Sequence, residues 1–343
     1  MISLSRKQYL AEKIVFVDGL PGCGKTLLSP IVASFDKVEL LSYIYEIEHM
    51  CSLYYLNQIS LESAANLINI QADLKIYNTM MGRDVNFRYS DLSSVANDHD
   101  PSRYLKRLSE PGDKEIPKII KENKPILNLT VHNLLAYSEP IWEAFGDRCI
   151  FIEVIRHPLY MIRQQALNMG SLIQTARDFT VYFEYKEIEL PYYVKSWEED
   201  FLKQNPYERS INFIYQYNQK LSKIKENLIK KKKLNVLTIP FELFVINPDE
   251  WIDKIEEKLE VKAHENINQT LINQNVPRDK VADGVDLEIY RRCGWKPPIG
   301  DASERDELNI RREEILINVN SEMALILDKI CAEYEKKYWC PDE

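Results

Sequence analysis

Gly19-Leu20-Pro21-Gly22-Cys23-Gly24-Lys25-Thr26 satisfies G-x-x-x-x-G-K-[ST] at every constrained position. The glycines let successive backbone N–H groups turn inward around phosphate oxygens. A helix that starts at such a loop adds its positive N-terminal end to the anion site. Lys25 supplies a point charge, and the Thr26 hydroxyl suits a phosphate oxygen or a Mg²⁺ ion. The context fits. A β-branched apolar run at 13–17, with Ile14-Val15-Phe16-Val17 at its centre, ends at Asp18-Gly19, and residues 26–35 can be helical. Strand, glycine-rich turn and helix in that order predict an α/β protein that holds a phosphorylated nucleotide, with Gly19, Pro21, Gly22, Cys23, Gly24, Lys25 and Thr26 around its phosphates.

Outward from the loop, strands alternate with helices. Residues 126–131 read as a buried strand, 149–155 (CIFIEVI) as the clearest strand in the chain, and 235–239 as another. Helices are predicted at 115–123, 138–145, 159–169, 207–231, 248–259 and 304–338, the last as one or two pieces. Residues 37–80 are helical in pattern and rich in Tyr and Leu. Residues 82–109 read as a polar loop, 266–302 as irregular, and 179–193 as a hairpin or meander. Strands separated by helices imply a mostly parallel sheet covered on both faces, a three-layer P-loop NTPase-like fold. The expected organisation is one domain over 1–343, with substrate-side insertions at about 40–110 and 170–215.

The 343 residues are 45% hydrophobic and carry a net charge of −9. That hydrophobic content suffices for a sizeable core, and the acidic balance disfavours a nucleic-acid partner, which requires a basic footprint. Six cysteines, Cys23, Cys51, Cys149, Cys293, Cys331 and Cys340, are scattered without a C-x-x-C pair, which reads as free thiols rather than a disulfide or zinc framework. Residues 1–13 lack the apolar core of a signal peptide, and no apolar run approaches membrane-spanning length. The expected setting is cytoplasmic, without a membrane partner.

Two strand ends carry the remaining chemistry. Residues 126–131 lead into His132, and 149–155 lead into Arg156-His157-Pro158. In a parallel sheet both ends lie on the same edge as the phosphate loop, where ligands collect. A histidine there suits proton removal near neutral pH, and Arg156 suits an anion. Arg163 follows two turns later on roughly the same helix face. Glu153 has the rough look of a metal-binding carboxylate at a strand, or of an edge ion pair.

This order of parts resembles the sulfotransferase family that uses 3′-phosphoadenosine 5′-phosphosulfate (PAPS). Members have a strand ending in a catalytic His, then a strand ending in Arg-x-Pro and a helix. Leu190-Pro191-Tyr192, Trp197 and Asn205-Pro206-Tyr207-Glu208-Arg209 are similar to a segment on the acceptor side, and 235–259 looks like the family's later strand and helix. Tyr290-Arg291-Arg292-Cys293-Gly294-Trp295 resembles a shortened basic, Gly- and Trp-containing cofactor loop. The likeness spans about 12–260. It implies that His132 is the base, that Arg156 binds the donor's 3′-phosphate, and that Gln164 stands where a helping Ser would be. Arg291 or Arg292 would assist, and Lys25 would neutralise the leaving oxygen. The product would be PAP and a sulfated hydroxyl (or amine) on a small-molecule or glycan acceptor, with no metal required. The chain departs from the family at Gly22, where the family has its catalytic Lys; here a Lys stands three positions later. Two other readings therefore remain: an ATP- and Mg-dependent P-loop small-molecule kinase, and a non-catalytic nucleotide-binding protein.

Overall fold

The fold is taken from a computed structural model that describes residues 3–91, 93–230, 234–286, 291–292, 296–297 and 302–341. Five strands form one sheet in the order β2-β3-β1-β4-β7: β1 (Lys13–Asp18), β2 (Ser42–Tyr43), β3 (Ile126–Thr130), β4 (Cys149–Ile155) and β7 (Val236–Pro240). Every pairing is parallel. A separate antiparallel hairpin joins β5 (Tyr182–Tyr185) and β6 (Ile188–Pro191), inside the stretch that alternates in sequence. The helices are α1 (Lys25–Val32), α2 (Tyr45–Tyr55), α3 (Leu61–Met80), α4 (Ser102–Arg107), α5 (Ile116–Asn123), α6 (Glu139–Phe145), α7 (Pro158–Ser171), α8 (Glu198–Lys203), α9 (Pro206–Lys230), α10 (Phe241–Ile246), α11 (Asp249–Leu259) and α12 (Ile267–Asn273). A penultimate helix, Glu304–Leu316, and a last helix, Ser321–Lys337, complete the described elements. None of the helices among the described residues is long and apolar enough to cross a membrane.

β1 is buried on both faces, as a central parallel strand must be. Its register places Phe16 beside Phe151 and Asp18 beside Glu153, and this face is covered by α6 and α9. Phe16 stacks on Phe151 at 4.9 Å, and Phe145 and Trp142 of α6 close over them. The opposite face holds Thr130, whose hydroxyl donates to Ser29 of α1 at 2.8 Å. The three layers follow from inner strands buried on both faces and one apolar stripe per helix. Their buried apolar side chains form one continuous core that also takes in the two C-terminal helices.

Three departures from the sequence reading have physical causes. Residues 82–109, read as a polar loop, contain α4, and two of their arginines turn inward. Arg107 forks onto Glu39 at 2.8 Å for each bond, Tyr104 adds a third at 3.0 Å, and Arg103 pairs with Asp98 at 2.7 Å. Burial alone would raise the Glu39 carboxyl; the Arg107 fork, with Arg103 and Tyr104, holds it below the ordinary range. Residues 266–302, read as irregular, contain α12 (INQTLIN), which has few strong helix formers. It persists because Leu271 and Ile267 join the core and Thr270 bonds Ser34 at 2.9 Å. The helix preference over 37–80 is interrupted by β2. In the lysine run, Lys230 ends α9 and 231–233 lie outside the described residues.

The phosphate loop is packed so closely that a single carbon is decisive. Gly24 has φ of 100°, and a Cβ there would lie 2.2 Å from the Phe241 ring. Gly24→Ala combines a left-handed backbone penalty of roughly 1–2 kcal/mol with that clash. It is expected to destabilise the fold by at least ~2 kcal/mol in urea denaturation. Gly170, near the end of α7, has room for a methyl at ordinary contact distance, so Gly170→Ala should stabilise by about 0.5 kcal/mol in the same assay.

Candidate active site

A cavity of about 450 Å³ opens at the carboxyl edge of the sheet. Pro21, Gly22, Gly24, Lys25 and Thr26 of the phosphate loop, His132 after β3, Arg156 after β4, and Arg163 and Gln164 of α7 all line it. The parallel topology thus brings the loop and both strand ends to one site.

The base of the site is organised by Asp18. Its two carboxylate oxygens accept the N–H groups of Leu134, at 3.0 Å, and Leu135, at 2.6 Å. Burial pushes the Asp18 carboxyl above its ordinary range, opposed by those two N–H groups and by the nearby Lys25 charge. The neighbouring carbonyl of Gly19 accepts from the Lys25 ammonium at 3.0 Å and from the Asn133 N–H at 3.2 Å. Asp18 and Gly19 therefore clamp the start of the loop to the turn that carries His132. Ser29 reinforces the loop's exit by donating to the Lys25 carbonyl at 2.8 Å.

His132 is oriented by a carboxylate. Its Nδ1 lies 3.0 Å from Glu48 Oε1, and Glu48 comes from α2. The rings of Tyr43 and Tyr45 flank the imidazole at 6.1 and 5.9 Å, inclined by 13° and 11°. A histidine with one nitrogen on a carboxylate and the ring open to a cavity has the arrangement of a general base with its orienting group. Glu48 was not identified in the sequence, because its proximity to His132 arises only when α2 folds across the end of β3.

Arg156 lies between two rings, 4.2 Å from the Phe241 centroid and 4.8 Å from Tyr160. One terminal nitrogen donates to the Gly22 carbonyl at 3.2 Å, while Nε is buried without a partner. Burial pushes the guanidinium below its ordinary pKa. Two further arginines share its rings: Arg278 lies 5.4 Å from the Phe241 centroid, and Arg311 lies 4.7 Å from Tyr160. Both line the cavity. Arg311 pairs with Glu307 at 2.6 Å, yet its Nε is also buried without a partner. Arg278 donates to the carbonyls of Asn275 and Val281 at 2.9 and 3.1 Å. Three guanidinium groups thus gather beside the phosphate loop, two with orphaned N–H groups, a pattern that calls for an anion.

Three other sequence-predicted residues, Arg291, Arg292 and Glu153, lie outside the cavity wall. Arg291 and Arg292 are exposed and outside the cavity wall, and Arg291 forms an ion pair with Asp286. The rest of that motif, Tyr290 and Cys293-Gly294-Trp295, lies outside the described residues. The cations beside the loop come instead from the stretch after α12 and from the penultimate helix. Glu153 is buried on the α9 side, on Lys225 and Thr238, and does not face Thr26. Arg163 pairs with Glu314 at 3.3 Å at the rim. Gln164 touches the loop, with its Oε1 3.2 Å from where a Gly22 Cβ would stand. Gln165, not singled out in the sequence, donates to the Pro21 carbonyl at 3.0 Å.

No protein-family model matches the chain, and no curated protein matches it in sequence. Solved structures of sulfotransferases are similar to it along most of its length. The sulfotransferase domain from the curacin biosynthetic pathway shares 15% identity over 93% of this chain and 97% of that one, with a TM-score of 0.46. The sulfotransferase domain from the Synechococcus PCC 7002 olefin synthase shares 12% over 93% and 100%, with a TM-score of 0.41. The sulfotransferase STF9 from Mycobacterium avium shares 11% over 96% and 78%, with a TM-score of 0.43.

His157, next to Arg156, is a structural residue. Its Nδ1 accepts the Leu159 N–H that caps α7, so Nε2 carries the proton and faces Glu335 at 3.2 Å. Burial, only partly offset by Glu335, pushes its pKa down to about 4. The unfolded chain therefore takes up a proton near pH 6.5 that the folded chain resists until about pH 4. Stability contributed by neutral His157 is present above pH 6.5 and lost as the pH falls. Acidification from pH 7 to pH 5 is expected to cost about 2 kcal/mol through this residue. His157→Asn, which can still cap the helix, should flatten the pH dependence of denaturant unfolding over that interval.

Proposed function

We propose that this cavity transfers a sulfuryl group from PAPS to a hydroxyl (or amine) of an acceptor. The observation that carries the reading is the cluster of Arg156, Arg278 and Arg311 beside the phosphate loop, with two orphaned guanidinium N–H groups. ATP carries its phosphates in one contiguous run. PAPS carries a 3′-phosphate apart from its 5′-phosphosulfate, and so matches a loop with a second cationic site at its side.

In this reading the loop N–H groups and Lys25 hold the 5′-phosphosulfate, and the arginine cluster, with Gln164 near the loop, receives the rest of the anionic donor. The acceptor oxygen gives its proton to His132 and forms a bond to sulfur. The bond from sulfur to the 5′-phosphate oxygen breaks, and its electron pair leaves on PAP. Glu48 holds the imidazole in the orientation that accepts the proton and stabilises the imidazolium that forms. Positioning and charge neutralisation supply most of the acceleration, as in phosphoryl transfer. The kinase reading is supported by the Gly24-Lys25-Thr26 match, but its strand carboxylate, Glu153, is engaged by Lys225 and Thr238 on the α9 side of the sheet.

Calorimetric titration tests the donor. PAP is expected to bind without Mg²⁺ and more tightly than ATP–Mg²⁺. Arg156→Ala and Arg311→Ala should each weaken PAP by about tenfold to a hundredfold, the usual worth of a hydrogen bond to a charged group. A preference for ATP–Mg²⁺ that is indifferent to Arg311 would overturn the reading. In turnover, His132→Ala should lower kcat by about a hundredfold or more. Glu48→Gln should lower it by about tenfold, and neither variant should change PAP affinity.

A further inference from the structure

We infer that Lys220 of α9 is a modification site, an amine seated on the rings of Tyr55 and Tyr137 that takes an acyl group from a small activated donor such as an acyl phosphate. Its Nζ lies 3.9 Å from the Tyr55 centroid and 5.2 Å from that of Tyr137. The residue is half-buried, so the amine is partly desolvated without being sealed in. The seat is held in place. The Tyr55 hydroxyl donates to the Lys195 carbonyl at 3.0 Å, and the Lys195 ammonium donates back to the Tyr55 carbonyl at 3.0 Å. That reciprocal clasp fixes the ring on which Lys220 rests. Tyr137 is buried, edge-on to Tyr55 at 4.9 Å and to Tyr192 at 5.0 Å, and Tyr192 lines the cavity. Tyr55 ends α2, two turns beyond Glu48, and Tyr137 ends the short 3₁₀ turn that follows His132. Lys220 therefore sits behind the cavity wall, at the joint between the two segments that carry Glu48 and His132.

What this seat lacks is a carboxylate. Lys13, Lys75, Lys225, Lys254 and Lys262 each rest on an acidic side chain, which favours the ammonium form. Among the described residues, no hydrogen bond or ion pair reaches Lys220 Nζ, and the two rings are its partners. Ring faces attract an ammonium, but they replace only part of the water it gives up. Burial, and after it the charge of Lys223 one turn on, push the Lys220 amine down to about 8. Desolvation beside another cation is how a lysine becomes a nucleophile. At pH 8 about half of this amine is neutral, against less than about 1% of an ordinary lysine. The neutral nitrogen attacks the acyl carbon and forms the N–C bond. The bond from that carbon to the phosphate oxygen breaks, its electron pair leaves on phosphate, and the surplus proton on nitrogen passes to water. The product is an uncharged amide, which removes a charge and adds bulk at the joint.

The test treats the full chain with acetyl phosphate over a series of pH values and times the acetylation of each lysine by peptide mass spectrometry. Near neutral pH, Lys220 is expected to react about tenfold faster than Lys225 or Lys254. Its rate should level off above about pH 8, whereas theirs climb on toward about pH 10. Lys223→Gln, a substitution at an exposed position, removes the neighbouring charge and should move the Lys220 midpoint upward. In denaturing urea the preference should vanish, because the fold creates it. A Lys220 rate within about twofold of the other lysines, a rate still rising at about pH 10, or a preference that survives urea would overturn the inference. None of these readouts involves PAP, so failure here leaves the transfer reading standing, and failure of that reading leaves the amine.

Discussion

The clamp at Asp18 and Gly19 is the constraint on which the rest of the site depends. One buried carboxylate at the end of the central strand accepts two N–H groups from the turn after β3, and the next carbonyl holds both Lys25 and Asn133. The phosphate loop and the histidine turn are thereby parts of one hydrogen-bonded unit. An unpaired carboxylate at this depth would be costly, so the turn cannot drift without exposing the Asp18 charge to an apolar interior. His132 owes its position to this, even though its own side chain is hydrogen-bonded to Glu48 rather than to Asp18 or the loop. Strand order extends the effect: β3 and β4 flank β1 on either side, so Arg156 on the far neighbour is delivered to the same loop at the Gly22 carbonyl.

What was legible in the sequence was whatever local chemistry dictates. The loop's glycines and Lys25-Thr26 form a contiguous motif, and 149–155 is too apolar and β-branched to be anything but an inner strand. The placement of His132 and Arg156 followed from a topological rule applied to two strand ends. Glu48, Arg278 and Arg311 carry no such signature. Each is an ordinary charged residue in an ordinary polar stretch, and each reaches the cavity only because a helix or loop distant in sequence packs against Phe241, Tyr160 or the end of β3. Arg291 and Arg292 illustrate the converse. A basic pair near Gly and Trp resembled a cofactor loop, whereas the side chain of Arg291 is satisfied by Asp286 five residues away. Glu153 was ambiguous in sequence, and the register of β4 against β1 and β7 resolves it: the residue faces α9, where Lys225 waits.

The arginine cluster gives the cavity an electrostatic character opposite to that of the whole chain, whose net charge is −9. Guanidinium groups tolerate such crowding on aromatic faces better than ammonium groups do, because they are planar and weakly hydrated. Arg156 and Arg311 nevertheless repel one another, and each buries an N–H group without a partner. That strain is relieved by any anion that fits, so occupancy of the site and stability of the fold are linked. Elements as far apart as α10, the turn after α12 and the penultimate helix meet at Phe241 and Tyr160, and an anion bound there would draw them together.

The loop and the helix facing it are fitted closely to one another at Gly22. With φ of 86°, Gly22 sits in a backbone region that side chains rarely adopt. A Cβ there would stand 3.2 Å from Gln164 Oε1 and 3.3 Å from Met161 Cα. The neighbouring turn of α7 therefore leaves little space for a longer side chain at position 22. Positive charge enters from the other end of the loop instead, through Lys25, whose ammonium is held on the Gly19 carbonyl and close to Asp18. Gln164 and Gln165 then serve as the polar backing of a bare glycine turn, Gln165 by gripping the Pro21 carbonyl. In the transfer reading proposed above, such a loop would present N–H groups and one fixed cation to the donor and leave the remaining neutralisation to the guanidinium groups at its side.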